Sequence, residues 1–343
     1  MKKEISLMEY KILETPDEII KHIQMGTHLP VFSELEKYIR FDLEDMKCKS
    51  LLFNENEKLD TIAGHVMVFP IFSDLLGFGY FRVVDHSKER IEKLISILIQ
   101  YAKENGFKEV YGPLNIPIYI FGFGFHEQDE PEFIHSGLSH HPSIYSAVFQ
   151  RCGFRIKTTY LSYETHTPRI NPHTIPNMDF SEYRMRFFNN RSEFEPYQDR
   201  WLKLHAEHMP SDIRLTPNLE REIINLIDYT FEFGYPNVFY CIEYVPTGEL
   251  VSAGINPQDC FQFWNNGLTL SWCKVFLGLD FVVSSEHRNK KLSILMWGEC
   301  TMRCAKEGKT FQVNYLVESE NVNSIKIIAR FWGTLKRRYL LFT

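Results

Sequence analysis

No Cys-x-x-Cys pair occurs in this 343-residue chain, and its seven cysteines (48, 152, 241, 260, 273, 300 and 304) are odd in number and widely scattered. Disulfide scaffolds are dense and even-numbered, so a disulfide framework is excluded and reduced thiols in a cytoplasmic protein are expected. His140-His141 with His135 has no second ligand cluster of matching spacing, and no metal is expected. No apolar run reaches the ~20 residues that span a bilayer, so no membrane partner is expected. Positive charge is not in surplus: 38 Lys and Arg face 44 Asp and Glu, a net charge of −6. Phosphate contacts need a basic face, which argues against a nucleic-acid partner. The opening Met1-Lys2-Lys3-Glu4 runs on into polar sequence, so no secretory leader is expected.

Aromatic residues are plentiful. With 28 Phe and 17 Tyr, they make up 15% of the chain, which predicts well-filled cores and room for an aromatic-lined pocket. A length of 343 residues suits two domains of roughly 150–180 residues better than a single core.

The last quarter carries the most information. Phe281-Val282-Val283 reads as a strand, followed by the polar turn Ser284 to Lys291 and a helix over Ile294 to Glu307 that Gly308 stops. Phe311 to Val317 is a second strand. Asn321-Val322-Asn323-Ser324 then leads into an apolar helix, Gly333, and a strand from Arg338 to Phe342. The first half ends in the same way. Gly79 to Val84 is a strand, Ser87 to Asn105 a helix, and Lys108 to Tyr111 a strand; a short helix from Ile144 to Arg151, Gly153, and a strand from Ile156 to Tyr163 follow. In the long helix Ile91, Leu94, Ile95, Leu98, Ile99 and Ala102 form the buried stripe of an amphipathic helix. Two such repeats imply two similar α/β domains: residues 1–164, a linker over 165–179 rich in Pro and Asn, and residues 180–343. Within the second, Tyr183 to Phe188 is a strand, Glu195 to His208 and Asn218 to Phe231 are helices, and Val238 to Ile255 is a hairpin around Pro246-Thr247-Gly248.

This order resembles the GNAT acyltransferase superfamily in a tandem-domain form. The resemblance covers about 180–343 well, 60–163 more loosely with a degenerate copy, and Met1 to Leu59 hardly at all. It implies two α/β domains, each a mixed central sheet flanked by helices, and transfer of an acetyl or longer acyl group from acyl-CoA to an amine. The acceptor would be a small-molecule amine or a peptide. Two alternatives stay open: a catalytically inactive GNAT-fold ligand-binding protein, or a peptidyl-transferase-like tandem GNAT without a CoA site. Because two related copies can supply each other's partner surface, a monomer or weak homodimer is expected.

In the superfamily the CoA pyrophosphate sits on backbone N–H groups at the start of the long helix, where unsatisfied donors and a partial positive charge favour anions. The usual motif is Arg-x-x-Gly-x-Gly/Ala. Here the matching residues are Arg288, Asn289, Lys290, Lys291, Leu292 and Ser293, with Lys291 and Ser293 at the two glycine positions. The cations suit a phosphate, or they are a solvated face. Val283 would line the pantetheine arm. Asn321-x-x-Ser324 matches the superfamily's Asn-x-x-Ala/Ser, and Asn321 equally suits a helix cap. Ile328 and Phe149 stand where many members carry a Tyr that protonates the thiolate. For a general base, Asp280 is the first choice and Glu243 the second; both also suit plain strand-end carboxylates. In the first repeat the equivalent loop, Val84-Asp85-His86-Ser87-Lys88-Glu89, carries acids that would repel a pyrophosphate. That half also has an insertion, 112–138, whose Phe121-Gly122-Phe123-Gly124-Phe125 reads as a packed surface loop, or else as a lid.

Overall fold

The computed structural model describes residues 9–26, 33–54, 62–127, 135–164, 179–208, 219–233, 239–256, 259, 261, 280–306, 315–330 and 333–343. The chain forms two compact units. One holds Met1–Glu132, Leu138–Thr159 and Arg338–Thr343; the other holds Phe133–Gly137 and Tyr160–Arg337. The units are therefore not two consecutive stretches of chain. Most of the linker expected over 165–179 lies outside the described residues.

In the first unit the order is β1 (Lys11–Leu13), α1 (Pro16–Gly26), α2 (Ser33–Asp45), β2 (Lys49–Asn54), β3 (Ile62–Phe72), β4 (Leu75–Val83), α3 (Lys88–Glu104), β5 (Glu109–Tyr111), α4 (Ile118–Phe121), β6 (Phe125–His126) and α5 (Ile144–Arg151), with β7 (Ile156–Glu164) beginning here. The sheet runs β1-β2-β3-β4-β5, antiparallel except for the parallel pair β4·β5. Residues before Leu59, to which no element is assigned from sequence, thus supply two strands and two helices. On one face α3 and α5 cover an aromatic core of Phe78, Phe81, Phe125, Tyr145 and Phe149. Leu340 and Phe342, from the far end of the chain, complete it. They arrive on β13 (Thr334–Phe342), whose Tyr339 and Leu340 pair with His126 and Phe125 of β6.

The second unit repeats the order. β8 (Tyr183–Phe187), α6 (Arg191–Phe194), α7 (Gln198–His208) and α8 (Leu219–Phe233) precede β9 (Phe239–Tyr244), β10 (Glu249–Ile255) and β11 (Asp280–Val283). Then come α9 (Leu292–Lys306), β12 (Tyr315–Glu318) and α10 (Val322–Arg330). Strands β8 to β11 form an antiparallel sheet in the order β11-β10-β9-β8. One face takes α9, through Met296, Trp297 and Cys300 against Tyr240, Phe187 and Phe281. The aromatic rings of Phe188, Phe194, Trp201, Phe231 and Phe239 pack together, and the Trp201 indole N–H donates to the carbonyl of Tyr240 at 3.2 Å. Among the described residues β12 pairs with Tyr160–Tyr163 of β7, not with β11. The parallel neighbours of the acyltransferase pattern, β11 and β12, are thus not joined by a described ladder.

Among the described residues Cys48, Cys152, Cys241 and Cys300 form no disulfide. Burial pushes the Cys241 thiol up to about 12, which keeps it protonated and inert. No helix among the described residues is long and apolar enough to cross a membrane.

Candidate functional site

The loop between β11 and α9 is held from both sides. Ahead of it, the Ser284 N–H donates to the carbonyl of Val251 at 2.9 Å, continuing the β10·β11 ladder. A single 3-10 turn over Ser285–His287 follows. His287 stands beside two tyrosines: its Nδ1 is 3.0 Å from the Tyr183 hydroxyl, and its ring lies 4.9 Å from that of Tyr244. Behind the loop, Leu292 is buried with Ile242 and Val251, so the first residue of α9 is pinned to the sheet.

Between those anchors the backbone turns sharply. Asn289 has φ +66° and Lys291 has φ +61°, the left-handed region that favours glycine. Lys291 is the residue at the first glycine position of the expected motif. A lysine thus stands in a backbone conformation that glycine adopts at less cost. Leu292 and Ser293 begin α9, so their N–H groups have no acceptor within the helix. The carbonyl of Lys291 takes the next one, from Ile294 at 2.9 Å. Arg288, Asn289, Lys290 and Lys291 are all exposed. The Ser284 hydroxyl is buried without a hydrogen-bond partner among the described residues. The result is a helix start with free donors, three cations and a spare buried hydroxyl, which fits an anion.

The equivalent place in the first unit is already filled. Asp85 accepts a hydrogen bond from the Ser87 N–H at 3.0 Å and pairs with Arg90 at 2.8 Å, at the start of α3. The Ser87 N–H chiefly, and then Arg90, hold the Asp85 carboxyl below the usual carboxylate range. Ser87 stands at the N-cap but makes no side-chain cap bond. The opening beside β4 is closed too. After Gly77 pairs with Tyr111, the chain turns in against β4. The Leu114 N–H donates to the Phe78 carbonyl at 2.7 Å, and Asn115 Oδ1 accepts from the Tyr80 N–H at 2.7 Å. A Cβ on Gly79 would fall 1.8 Å from the Leu114 carbonyl oxygen. Residues 112–126 are buried without exception. This part of the insertion is therefore core, not the packed surface loop expected from its Gly/Phe composition.

The other sequence-derived residues separate. Val283 pairs with Ser252 at the loop end of β11. Asn321 caps α10, its Oδ1 accepting from the Ser324 N–H at 3.1 Å. Ile328 is buried with Val317 and Tyr163. The backbone of Asp280 pairs with Ile255, at the end of β11 away from the loop. Glu243 stands opposite Leu250 and Arg184, at the loop end of the sheet, and pairs with Arg186 at 3.7 Å. By register the two carboxylate positions are separated by roughly 13 Å along the strands, so they form no pair.

One further cluster was not expected. His135 Nδ1 lies 2.6 Å from Asp259 Oδ2, and Asp259 Oδ1 accepts from the N–H and hydroxyl of Ser136, each at 3.0 Å, and from the Phe261 N–H at 3.1 Å. All belong to the second unit. Asp259 follows His135 by 124 positions, and no spacing in the sequence announces the contact.

No protein-family model matches the chain, and no curated protein matches it by sequence. Solved structures do. A tandem GNAT protein from the clavulanic acid biosynthesis pathway, solved without acetyl-CoA, is 12% identical over 97% of this chain and 98% of its own, with a TM-score of 0.60. A GCN5-related N-acetyltransferase from Sphaerobacter thermophilus is 12% identical over 98% and 96% of the two chains, with a TM-score of 0.55. A GNAT-family acetyltransferase from Colwellia psychrerythraea is 14% identical over 98% and 99%, with a TM-score of 0.51. The chain has the tandem GNAT fold. At these identities the likeness speaks for the architecture, and both units contribute to it from end to end.

Proposed function

We propose that this chain is an acyl-CoA-dependent N-acyltransferase whose second unit holds the acyl-CoA and whose first unit is a non-binding copy. The observation that carries the reading is Lys291 in the left-handed conformation, immediately ahead of a helix start rich in cations. The pyrophosphate would rest on the N–H groups of Leu292 and Ser293 with Arg288, Lys290 and Lys291 around it. Val283 would flank the pantetheine arm. Asn321 and Ser324 would stand at its other side, where Asn321 has its amide N–H2 to offer because its Oδ1 is used in the cap. Acyl-CoA supplies an activated acyl group, and the acceptor would be a small amine or a peptide. Direct attack needs positioning and a free base rather than covalent chemistry by the protein. Asp280 is the better placed of the two sequence-derived carboxylates, because Glu243 is tied to Arg186 at the loop end.

Titration with acetyl-CoA and longer acyl-CoAs tests this. A ligand at 100 times its dissociation constant raises stability by about 2.7 kcal/mol, a clear thermal shift. Arg288→Glu should abolish the shift, and Lys88→Glu, at the first unit's equivalent helix, should leave it intact. Equal losses from both, or no shift with any acyl-CoA, would sink the assignment.

A further inference from the structure

The pair His135–Asp259 lies outside everything so far assigned. Asp259 is fully buried, and a buried carboxylate is tolerated only when its oxygens are satisfied. Here Oδ1 takes three donors, and Oδ2 is left to a single partner, His135 Nδ1 at 2.6 Å. An ionised carboxylate can only accept, so Nδ1 must carry the proton. That leaves Nε2 as the ring nitrogen not engaged by the carboxylate. The His135 side chain keeps 11% of its surface exposed, so the ring is anchored at one nitrogen and open to solvent elsewhere. The placement is also specific. Asp259 follows the end of β10 by four residues, and that end, Ile255, is paired with Asp280. Four residues reach at most ~14 Å. Asp259 therefore stands within about 14 Å of Ile255, the residue that faces Asp280 across the β10·β11 ladder. The chain brings residues 133–137, the end of the first half's insertion, into the second unit to make it.

We propose that His135, oriented by Asp259, is the general base that takes the proton from the acceptor amine. This rests on the acyl-transfer reading above. An amine acceptor is an ammonium ion at neutral pH and has no lone pair to attack with. The ammonium gives one proton to Nε2, and the Asp259 carboxylate stabilises the imidazolium that results. The amine nitrogen then bonds to the acyl carbon as the carbon–sulfur bond breaks. The second N–H proton leaves with the thiolate, and the proton on Nε2 passes to water.

The test uses the full chain with acetyl-CoA and lysinamide, following thiol release, alongside acetyl-CoA binding by calorimetry and the histidine 15N spectrum. His135→Gln should lower kcat by about 10²–10³-fold at pH 7 with acetyl-CoA affinity unchanged. Its rate should then climb about tenfold per pH unit as free amine accumulates, while the wild type levels off. In His135→Ala added imidazole should restore turnover. In the spectrum His135 should show the Nδ1–H tautomer, and Asp259→Asn should lose that preference. A kcat within threefold of wild type in His135→Gln, no rescue by imidazole, or an Nε2–H tautomer overturns the assignment while leaving the cofactor reading intact. Binding of acetyl-CoA without turnover by the wild type does the same. Neither binding nor turnover overturns both.

Discussion

Lys291 holds a left-handed backbone conformation that glycine adopts more readily. A lysine at φ +61° is strained by roughly 1–2 kcal/mol relative to glycine. Lys291→Gly should therefore raise stability by about 1 kcal/mol, measured as a higher urea midpoint, if the gain is not offset by the greater freedom of glycine in the unfolded chain. A loss of more than 1 kcal/mol would show that the lysine side chain contributes a contact of its own. A second residue sets a pH limit. His65 is fully buried, between the Ser50 hydroxyl at 2.9 Å and the Tyr80 carbonyl at 3.0 Å. Burial lowers its value from 6.5 to about 4. Above pH 6.5 it is neutral both folded and unfolded, and its contribution is constant. Between pH 6.5 and 4 the unfolded chain binds a proton that the folded one refuses, so stability falls as pH falls, by up to about 3 kcal/mol. His141, also buried and shifted in the same direction, adds to the loss. Urea unfolding at pH 7 and pH 4.5 should show the drop, and His65→Gln should flatten it.

Among the elements, those with strong periodicity were legible. Of the expected stripe, Ile91, Leu94, Ile95, Leu98 and Ala102 are buried on α3 and Ile99 is partly buried, and the helix bounds lie within a residue of those read from sequence. The hairpin β9–β10 turns at the Pro-Thr-Gly expected to turn it. Two things were not legible. Strand β1 is only three residues long, too short for any alternation to show, so the start of the first repeat goes unseen although α2 buries Leu35, Ile39 and Leu43 at helical spacing. The segment 112–126 has the glycines and prolines of a loop, yet it is buried because it fills the opening beside β4. The cap at Asn321 was readable because it sits in a local pattern. His135 and Asp259 were not, since only the fold joins them. Strand β13 yields a sharp expectation. Phe342 is fully buried in the first unit, beside Phe125 and Phe149 at 6.0 and 5.7 Å between ring centroids. Phe342→Ala should cost about 3–5 kcal/mol in thermal or urea unfolding. A change under 1 kcal/mol would mean that the terminal strand is dispensable to that core.

The division of the chain into units makes its two halves interdependent. A fragment ending between residues 165 and 178 would lack Arg338–Thr343, which the first unit needs; its complement would lack Phe133–Gly137 and Tyr160–Glu164, which the second unit needs. Neither fragment should fold stably alone, and coexpression of both should recover a soluble complex that purifies together. Two independently folded fragments with cooperative melting would refute this. The same arrangement sets a clock on synthesis. At roughly 5–20 residues per second a ribosome needs tens of seconds to finish 343 residues, and domains usually fold as they emerge, the N-terminal one first. Here the first unit to emerge waits for Arg338–Thr343, which follow the second unit in the chain. Throughout that interval β6 has no partner strand and the rings of Phe125 and Phe149 are without Phe342. The nascent chain thus carries an unfinished aromatic core while the whole second unit is being made, and it is during that delay, more than in the folded protein, that chaperones would have reason to hold it.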